Sequence, residues 1–436
     1  MTELLALALF LATIGLMIWG PIERSVIGGV GVVAMLLLGV VSPLEAFSLI
    51  DWNVLAILAG LWIASTYLVA AKMPEALASA VLKRTRSLRH ALFALAFAAG
   101  IVTMFVDNVL VVLLFCPIVM RLCRLAKVDP LLPTVLVGLA ANFMGVGLLL
   151  GDITPQMLHS VAGAEFIDFV IFRGRPGSFF VLLATFVIVL AIYFSKLMRW
   201  GDGVDAGPLA PALEAPGQGG GALKVSLLFF VGIVVLMSLR KAIGAPLGAI
   251  ALSGALVMAC SMELLRKAGW LRGVPPFEEV LGRLEWRALL YYASLFILVG
   301  CIERAGHIDA LARSMQPLLL DVRTGVPALY WLSAGVASIV QFDAYNLAMF
   351  YTLRELSLAN GLDAWPYYWS VAWASTLASE ATVVSAPALY VVWTLIEKEG
   401  YRVTTKSFHS ITVRFAALSL LVNFAIAFPL LSTMPH

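Results

Sequence analysis

The sequence has 436 residues, of which 61% are hydrophobic and only 13% are charged. A soluble protein carries about 25% charged residues, so this chain has too few to cover a water-facing surface and is expected to lie in a membrane. The formal net charge of +3 is small, and the basic residues fall in loops between apolar runs, which argues against a nucleic-acid partner.

Apolar runs long enough to cross a lipid bilayer, about 20 residues each, recur along the whole chain. Ten spanning helices are predicted, at 3–20, 24–41, 52–71, 132–157, 178–198, 223–240, 246–264, 286–303, 366–394 and 411–433. No basic residue precedes the first run and no small-residue cleavage site follows it, so we expect a retained helix and not a signal peptide.

The chain is expected to contain two copies of one unit. Residues 201–222 are rich in Gly, Pro and Ala, as is typical of a flexible linker, and they lie near the midpoint. They separate a first repeat with an extra N-terminal helix, 1–200, from a second repeat, 223–436.

Short matches between the halves support this duplication. Asp51-Trp52 has a counterpart in Glu285-Trp286, 234 residues later (286 − 52), and Ala76-Leu77-Ala78 recurs at 310–312 with the same offset. Each Trp could simply anchor a helix at the membrane interface. Matches in one order, each followed by similar hydropathy, favour duplication.

The apolar stretch 91–120 is predicted to be a re-entrant hairpin of two short helices. Basic residues lie on both flanks, and the positive-inside rule assigns both flanks to the cytoplasm. The alternative is two full spans, but arms of about fifteen residues rising about 1.5 Å each cover only about 22 Å of a core of about 30 Å. We expect Asp107 and Asn108 at the hairpin tip.

A second hairpin is predicted at 326–352, with Asp343 and Asn346 at its tip in places equivalent to Asp107 and Asn108. Acidic residues nearly balance the basic ones on its flanks, which fits the opposite side of the membrane. Five elements per repeat, an odd number, would produce this inversion. The predicted fold class is therefore an all-α polytopic membrane protein with two inverted repeats, a common construction in secondary transporters.

The helix after each hairpin is predicted to be discontinuous. Segment 132–157 contains Asn142, Gly145 and Asp152, and its glycines and proline weaken a helix. Segment 366–394 places Glu380 in the middle of the membrane between hydroxyl side chains. A broken helix offers free N–H groups to an anion and free C=O groups to a cation.

Polar residues in these four segments are the candidate ion or substrate ligands, because ionisable groups inside a bilayer are costly and mark transport pathways. They are Asp107, Asn108, Asn142, Gly145, Asp152, Asp343, Asn346, Ser379, Glu380 and Thr382. The metal is unknown, and a bound Na⁺ would be expected at Asp107, Asn142 and Asp343. The alternatives are that each aspartate caps a short helix and that the glycines serve close helix packing.

Other kinds of site find little support. The five histidines are scattered, and the four cysteines form no metal pattern. Motifs for nucleotide binding and for hydrolytic catalysis are missing. We therefore expect neither a cofactor nor an enzyme.

The order of motifs resembles the branch of the ion transporter superfamily that holds arsenite permeases, NhaD-type sodium–proton antiporters and the P protein, with citrate and dicarboxylate transporters more distant. The segments that carry this resemblance over nearly the whole chain are 50–71, 105–109 with Pro117 and Arg121, 142–145 and 151–152. The resemblance implies an elevator-like motion, a substrate site between the hairpin tips and, often, a homodimer.

This sequence departs from the family pattern mainly in its second half. The family's Asp-Asn pair is spread over Asp343 and Asn346, and Ser379-Glu380-Ala381-Thr382 stands where the family has a glycine-rich break. After Asp152, the family's Pro-Pro-Asn is replaced by Ile153-Thr154-Pro155-Gln156. These changes leave the transported ion open.

Three functional hypotheses follow. The first is proton-coupled antiport of a small inorganic cation such as Na⁺, because four carboxylates lie near the expected site with no basic residue among them. The second is transport of an arsenite-like oxyanion or a carboxylate anion through the N-termini of the broken helices. The third is a non-transporting membrane component whose site has decayed. In each case we expect a multi-pass protein of the bacterial inner membrane, surrounded by the lipid bilayer.

Overall fold

The computed structural model describes residues 2–20, 22–85, 87–193, 220–271 and 273–434, and these fold almost entirely into α-helices. The helices of the first half are α1 (Thr2–Trp19), α2 (Arg24–Leu37), α3 (Pro43–Leu49), α4 (Trp52–Ala70), α5 (Met73–Arg84), α6 (Leu88–Thr103), α7 (Asn108–Leu125), α8 (Leu131–Met144), α9 (Ile153–Ala162), α10 (Phe166–Val170) and α11 (Ser178–Ile192). A two-residue hairpin of β1 (Ile171–Phe172) and β2 (Arg175–Pro176) joins the last two.

The second half continues the same pattern. Its helices are α12 (Gly220–Ser238), α13 (Arg240–Ile243), α14 (Leu247–Lys267), α15 (Phe277–Gly282), α16 (Trp286–Arg304), α17 (His307–Leu319), α18 (Val322–Ala337), α19 (Phe342–Asn360), α20 (Trp365–Ser379), α21 (Pro387–Lys398) and α22 (Thr405–Ser432). Most of the predicted linker, 201–222, lies outside the described residues, and its last three residues begin α12.

The two halves repeat helix by helix at the offset of 234. Trp52 and Trp286 begin α4 and α16, and the first helices of the two hairpins, α6 and α18, begin and end in the same register. The first parts of the broken helices, α8 and α20, and the second parts, α9 and α21, also begin in register. The predicted fold class, an all-α polytopic protein with two inverted repeats, is confirmed.

Each repeat packs against elements of the other. Helix α14 of the second repeat covers α4 of the first, and α2 of the first covers α16 of the second. In the same way α9 contacts hairpin helix α19, and α21 contacts hairpin helix α7. The broken helix of one repeat is therefore held against the hairpin of the other.

Within the described ranges, six helices are at least 18 residues long and apolar enough to cross a membrane. Five of them coincide with predicted spans, and the sixth is α7 of the first hairpin. The two arms of that hairpin have 16 and 18 residues, so the expectation of about fifteen per arm was too short. Both helices extend past the apolar stretch into the flanking residues Leu88 and Leu125.

The helix breaks are short and occur where the sequence predicts them. Residues 104–107 interrupt the first hairpin and 338–341 the second, four residues in each case. The broken helices are interrupted at 145–152 and at 380–386. Asp51 caps α4 by accepting the N–H of Val54 at 2.9 Å, whereas Glu285, its counterpart in the repeat, makes no such bond.

The contact between α4 and α14 depends on glycine. A methyl group at Gly60 would lie 2.6 Å from the carbonyl carbon of Ala251, and one at Gly248 would lie 2.4 Å from the carbonyl oxygen of Asn53. The Asn53 side chain accepts the N–H of Gly248 at 2.8 Å. The two backbones thus touch directly, as small residues permit in membranes.

Replacing Gly60 by Val should destabilise this pair of helices by about 1–3 kcal/mol, the usual cost of overpacking, and lower the melting temperature in detergent. Gly232→Val in α12 is the matched control, because a methyl group there meets no atom within 4 Å. Equal melting temperatures for the two variants would contradict the packing described.

The inverted arrangement predicts opposite accessibility for the chain segments that flank the two hairpins. In a Cys260→Ser background, which removes the exposed cysteine, Arg84→Cys should react with an impermeant maleimide from the cytoplasmic side. Asn360→Cys, at the exposed end of α19, should react only from the other side. Labelling of both positions from one side would refute the inversion.

Candidate functional site

The tip of the first hairpin is organised by Asp107. Its Oδ1 accepts the backbone N–H groups of Val109 at 3.0 Å and Leu110 at 3.1 Å, which caps α7. The indole of Trp62 in α4 also faces this carboxylate. The capping alternative is therefore correct for Asp107, and capping fixes the carboxylate at the N-terminus of α7.

Asp152 holds the first broken helix to this tip. Its Oδ1 accepts the N–H of Ile153 at 2.7 Å, capping α9, and its Oδ2 accepts the side-chain amide of Asn108 at 3.2 Å. Gly145 lies directly beside it, since a methyl group there would come within 3.2 Å of Oδ2. Gly145 therefore does serve close packing, and its neighbour in that packing is the site residue Asp152.

The second hairpin carries its acidic residue in a different register. Asp343 is the second residue of α19 and does not cap it; Gln341 occupies the cap position, and at the repeat offset it is the counterpart of Asp107. The predicted equivalence with Asp107 is wrong by two residues. The Oδ2 of Asp343 accepts Gln341 Nε2 at 3.1 Å and the Tyr292 hydroxyl at 3.5 Å, and its Oδ1 is buried without a partner.

Asn346 lies one turn further along α19 and connects the two repeats. Its side-chain amide donates to Thr154 Oγ1 in α9 at 2.9 Å, and its own Oδ1 is buried without a hydrogen bond. The hairpin of the second repeat therefore contacts the broken helix of the first through polar side chains. Those buried oxygens are free to meet a ligand.

Three carboxylates at the starts of three helices influence one another electrostatically here, and we call Asp107, Asp152 and Asp343 the aspartate cluster. The charges of the other two both act on Asp152. One basic residue approaches: Arg24 acts on Asp343 and donates to the carbonyl oxygen of Val384 at 2.7 Å. The expectation that no basic residue lies near the carboxylates is therefore wrong for Arg24.

Asn142 does not join this cluster. Its side-chain amide donates to the Thr376 carbonyl oxygen at 3.2 Å and to Ser379 Oγ at 3.1 Å. Asn142 and Thr376 are 234 residues apart and so occupy equivalent positions. Glu380 is adjacent to the Asn142 amide and fully buried. We call Asn142, Thr376, Ser379 and Glu380 the interface cluster.

The expected Na⁺ ligands are therefore divided between two places. Asp107 and Asp343 belong to the aspartate cluster, and Asn142 belongs to the interface cluster. Among the residues described, no three His, Cys, Asp or Glu side chains lie close enough together to hold a metal ion.

Thr382 has a structural contact. Its hydroxyl donates to the Ser338 carbonyl oxygen in the second hairpin at 2.9 Å, and Ser385 donates to the same oxygen at 2.8 Å. In the first repeat, the residue equivalent to Ser385 is Gly151, which packs directly on Thr103 and Met104. In the second repeat a hydrogen bond from Ser385 therefore joins the broken helix to the hairpin tip, where the first repeat has close backbone packing at Gly151.

Sequence reasoning missed several residues of the site. Arg24, Trp62 and Tyr292 come from helices outside the predicted hairpins and broken helices, and no local pattern distinguishes them. Gln341 and Thr154 could have been found: one lies at the repeat offset from Asp107, and the other follows Asp152 by two residues.

Comparison with known proteins agrees with this architecture. The family model described as "CitMHS: Citrate transporter" matches residues 14–429. An uncharacterized transporter of Mycobacterium tuberculosis H37Rv is 25% identical over 406 residues, covering 91% of each chain. The human P protein is 23% identical over 70% of this chain and 45% of its own length.

Two solved transporters share the fold. The Alcanivorax borkumensis YdaH transporter superposes with a TM-score of 0.56 at 12% identity, over 93% of this chain and 90% of its own. Neisseria gonorrhoeae MtrF, described as one of a class of antimetabolite efflux pumps, superposes with a TM-score of 0.54 at 12% identity, over 91% and 84%.

The resemblance seen in the sequence is confirmed, since the P protein is among the relatives. With mycobacterial transporters among them too, the protein is placed in the inner membrane. The chain belongs to the CitMHS family of citrate transporters and is an integral membrane transporter.

Proposed function

We propose that the chain is a secondary active transporter that exchanges a small cation, such as Na⁺, for protons at the aspartate cluster. One observation carries the proposal: Asp107, Asp152 and Asp343 come from both repeats, lie at helix starts inside the fold, and the charges of Asp107 and Asp343 both reach Asp152. Ionisable groups in that setting are expensive and serve transport pathways.

The chemistry of the cluster suits a cation or a proton. Backbone N–H groups at the N-termini of α7 and α9 stabilise the charges of Asp107 and Asp152. Asp343 retains a buried oxygen without a partner. Since carboxylate oxygens bind either protons or hard cations, the two can compete for the same groups, and this competition couples them.

The resemblance implies an elevator-like mechanism, in which the hairpins and broken helices would move against a scaffold that includes α4 and α14. The direct backbone contact of α4 and α14 at Gly60 and Gly248 supports a rigid scaffold. A homodimer, implied by the resemblance, stays a prediction.

A carboxylate anion such as citrate is the second candidate, and the family description favours it. Arg24 beside Asp343 supplies one positive group. Three aspartates would nevertheless repel a trianion, so citrate would have to enter with protons or cations that compensate its charge. An arsenite-like neutral species would meet no such repulsion. A decayed site is disfavoured, because both hairpin tips and both helix breaks are intact.

Asp107→Asn tests the charge separately from the cap. Asparagine caps helices about as well as aspartate, so the variant should fold and α7 should begin normally. In proteoliposomes with an imposed pH gradient, Na⁺- or Li⁺-dependent dissipation should fall about tenfold or more, as removal of a charge-assisted contact of roughly 1.5–3 kcal/mol predicts.

The matched control is Asp321→Asn. Asp321 also caps a helix, accepting the N–H of Arg323 at 2.9 Å, but it is exposed and outside the cluster. Its variant should keep the wild-type rate. If the wild type shows no cation-dependent dissipation, the cation proposal is wrong. Uptake of labelled citrate that survives Asp107→Asn would then support the anion candidate.

A further inference from the structure

Glu380 is the most isolated carboxylate among the residues that the structure describes. It is 0% exposed, and neither Oε1 nor Oε2 has a hydrogen-bond partner. It follows the last residue of α20, Ser379, at the start of the second break. An unpaired negative charge in such a place is strongly unfavourable, so a positive partner has to neutralise it.

Two further oxygen atoms in the interface cluster also lack a hydrogen-bond partner. Asn142 Oδ1 and Thr376 Oγ1 are buried and have no hydrogen-bond partner. The amide nitrogen of Asn142 is already engaged by Thr376 and Ser379, which fixes the amide and leaves its oxygen as the available acceptor. Together with the carboxylate, these atoms are buried oxygens with unused lone pairs, and the Thr376 hydroxyl can also donate its proton.

The surrounding backbone adds negative potential. Helix α8 ends at Met144 and α20 ends at Ser379, and the contacts of Asn142 bring these two C-termini together. Helix C-termini carry partial negative charge and unpaired carbonyl groups. The aspartate cluster differs, because Asp107 and Asp152 lie at N-termini that compensate them.

No charged side chain in the described part of the chain acts appreciably on Glu380; the Asn142 amide does. The titratable group that senses it is Tyr193 of α11, whose hydroxyl donates to the Ile411 carbonyl oxygen at 3.0 Å. The charge of Arg414 in α22 influences Tyr193 but not Glu380. The charges of Asp152 and Asp343, at the starts of α9 and α19, do not influence Glu380 either.

We propose that the interface cluster is a second cation site, distinct from the aspartate cluster, which binds a monovalent cation, Na⁺ or H⁺, at Glu380. Asn142 and Thr376 supply the further oxygen ligands. A single carboxylate among neutral oxygens suits a charge of +1 and not a divalent ion. Because the site joins equivalent residues of the two broken helices, a bound cation would hold these helices together. This coupling role rests on the proposed function, whereas cation binding at the site does not.

Binding is tested on the purified full-length protein without any transport. The melting temperature is measured in NaCl against choline chloride at fixed pH, and across pH in choline chloride alone. The variants are Glu380→Gln, which keeps size and shape, and Thr376→Val, which removes one oxygen. Ser375→Ala is the control, since that neighbouring hydroxyl donates within its own helix, to Ala372.

We expect either a stabilisation by Na⁺ or a pH-dependent step in the wild type, abolished in Glu380→Gln and retained in Ser375→Ala. Thr376→Val should raise the half-saturating Na⁺ concentration about tenfold if the ion is Na⁺. Stabilisation by NaCl would identify Na⁺ as the bound ion, and a pH-dependent change in melting temperature without stabilisation by NaCl would identify the proton. If Glu380→Gln responds to both series as the wild type does, the site does not exist.

A folding failure is separable from these outcomes, because Glu380→Gln is compared with Asp107→Asn in the same assay. Loss of the response in Glu380→Gln but not in Asp107→Asn supports two separate sites. If both variants lose it, the two clusters form one site and the proposal is refuted, while cation exchange by the wild type would stand. If the wild type shows no exchange yet responds through Glu380, only the proposed function fails.

Discussion

A helix that stops inside a bilayer leaves backbone N–H and C=O groups without partners, and in hydrocarbon each such group is costly. Four helices of this chain stop there, two in the hairpins and two in the broken helices. Part of the cost is met by side chains at the breaks: Asp107 and Asp152 accept backbone N–H groups, and Thr382 and Ser385 donate to the Ser338 carbonyl oxygen. The two repeats also meet near the breaks, since α9 packs on α19 and α21 on α7.

This constraint explains why the site has two parts of different character. Where helix N-termini meet, at α7 and α9, aspartates accept the free N–H groups and are stabilised by them. Where the C-termini of α8 and α20 meet, the side-chain N–H groups of Asn142 donate to Thr376 and Ser379, and the buried Glu380 oxygens are left without a hydrogen-bond partner. The same fold therefore provides one place where carboxylates are compensated internally and another that requires a cation.

The repeats share a backbone but differ in chemistry. Asp107 is replaced by Gln341 at the equivalent cap, Gly151 by Ser385, and the position of Glu380 corresponds to Val146 in the first repeat. Such substitutions leave the helix breaks in register while placing charged groups asymmetrically. The two clusters therefore differ in chemistry although the backbone repeats.

Much of this could be predicted from the sequence, because hydropathy and the flanking charges act locally. The breaks near Asp107, Asp152 and Glu380 interrupt apolar runs and were found for that reason. The register of Asp343 could not be predicted, since packing between helices determines which residues form a hairpin tip. A shift of two residues leaves the hydropathy of the stretch unchanged. The separation of Asn142 from the aspartates was also unpredictable, because it depends on the contact between α8 and α20.

The proposed ion sites lie where helix ends of the two repeats meet. The most direct measurement is anomalous scattering from crystals of the intact protein grown with Tl⁺ or Rb⁺ in place of Na⁺. We expect a peak at the aspartate cluster, with a second at Glu380 if that site takes a metal cation and not a proton. Bound ions confined to positions outside both clusters would contradict it.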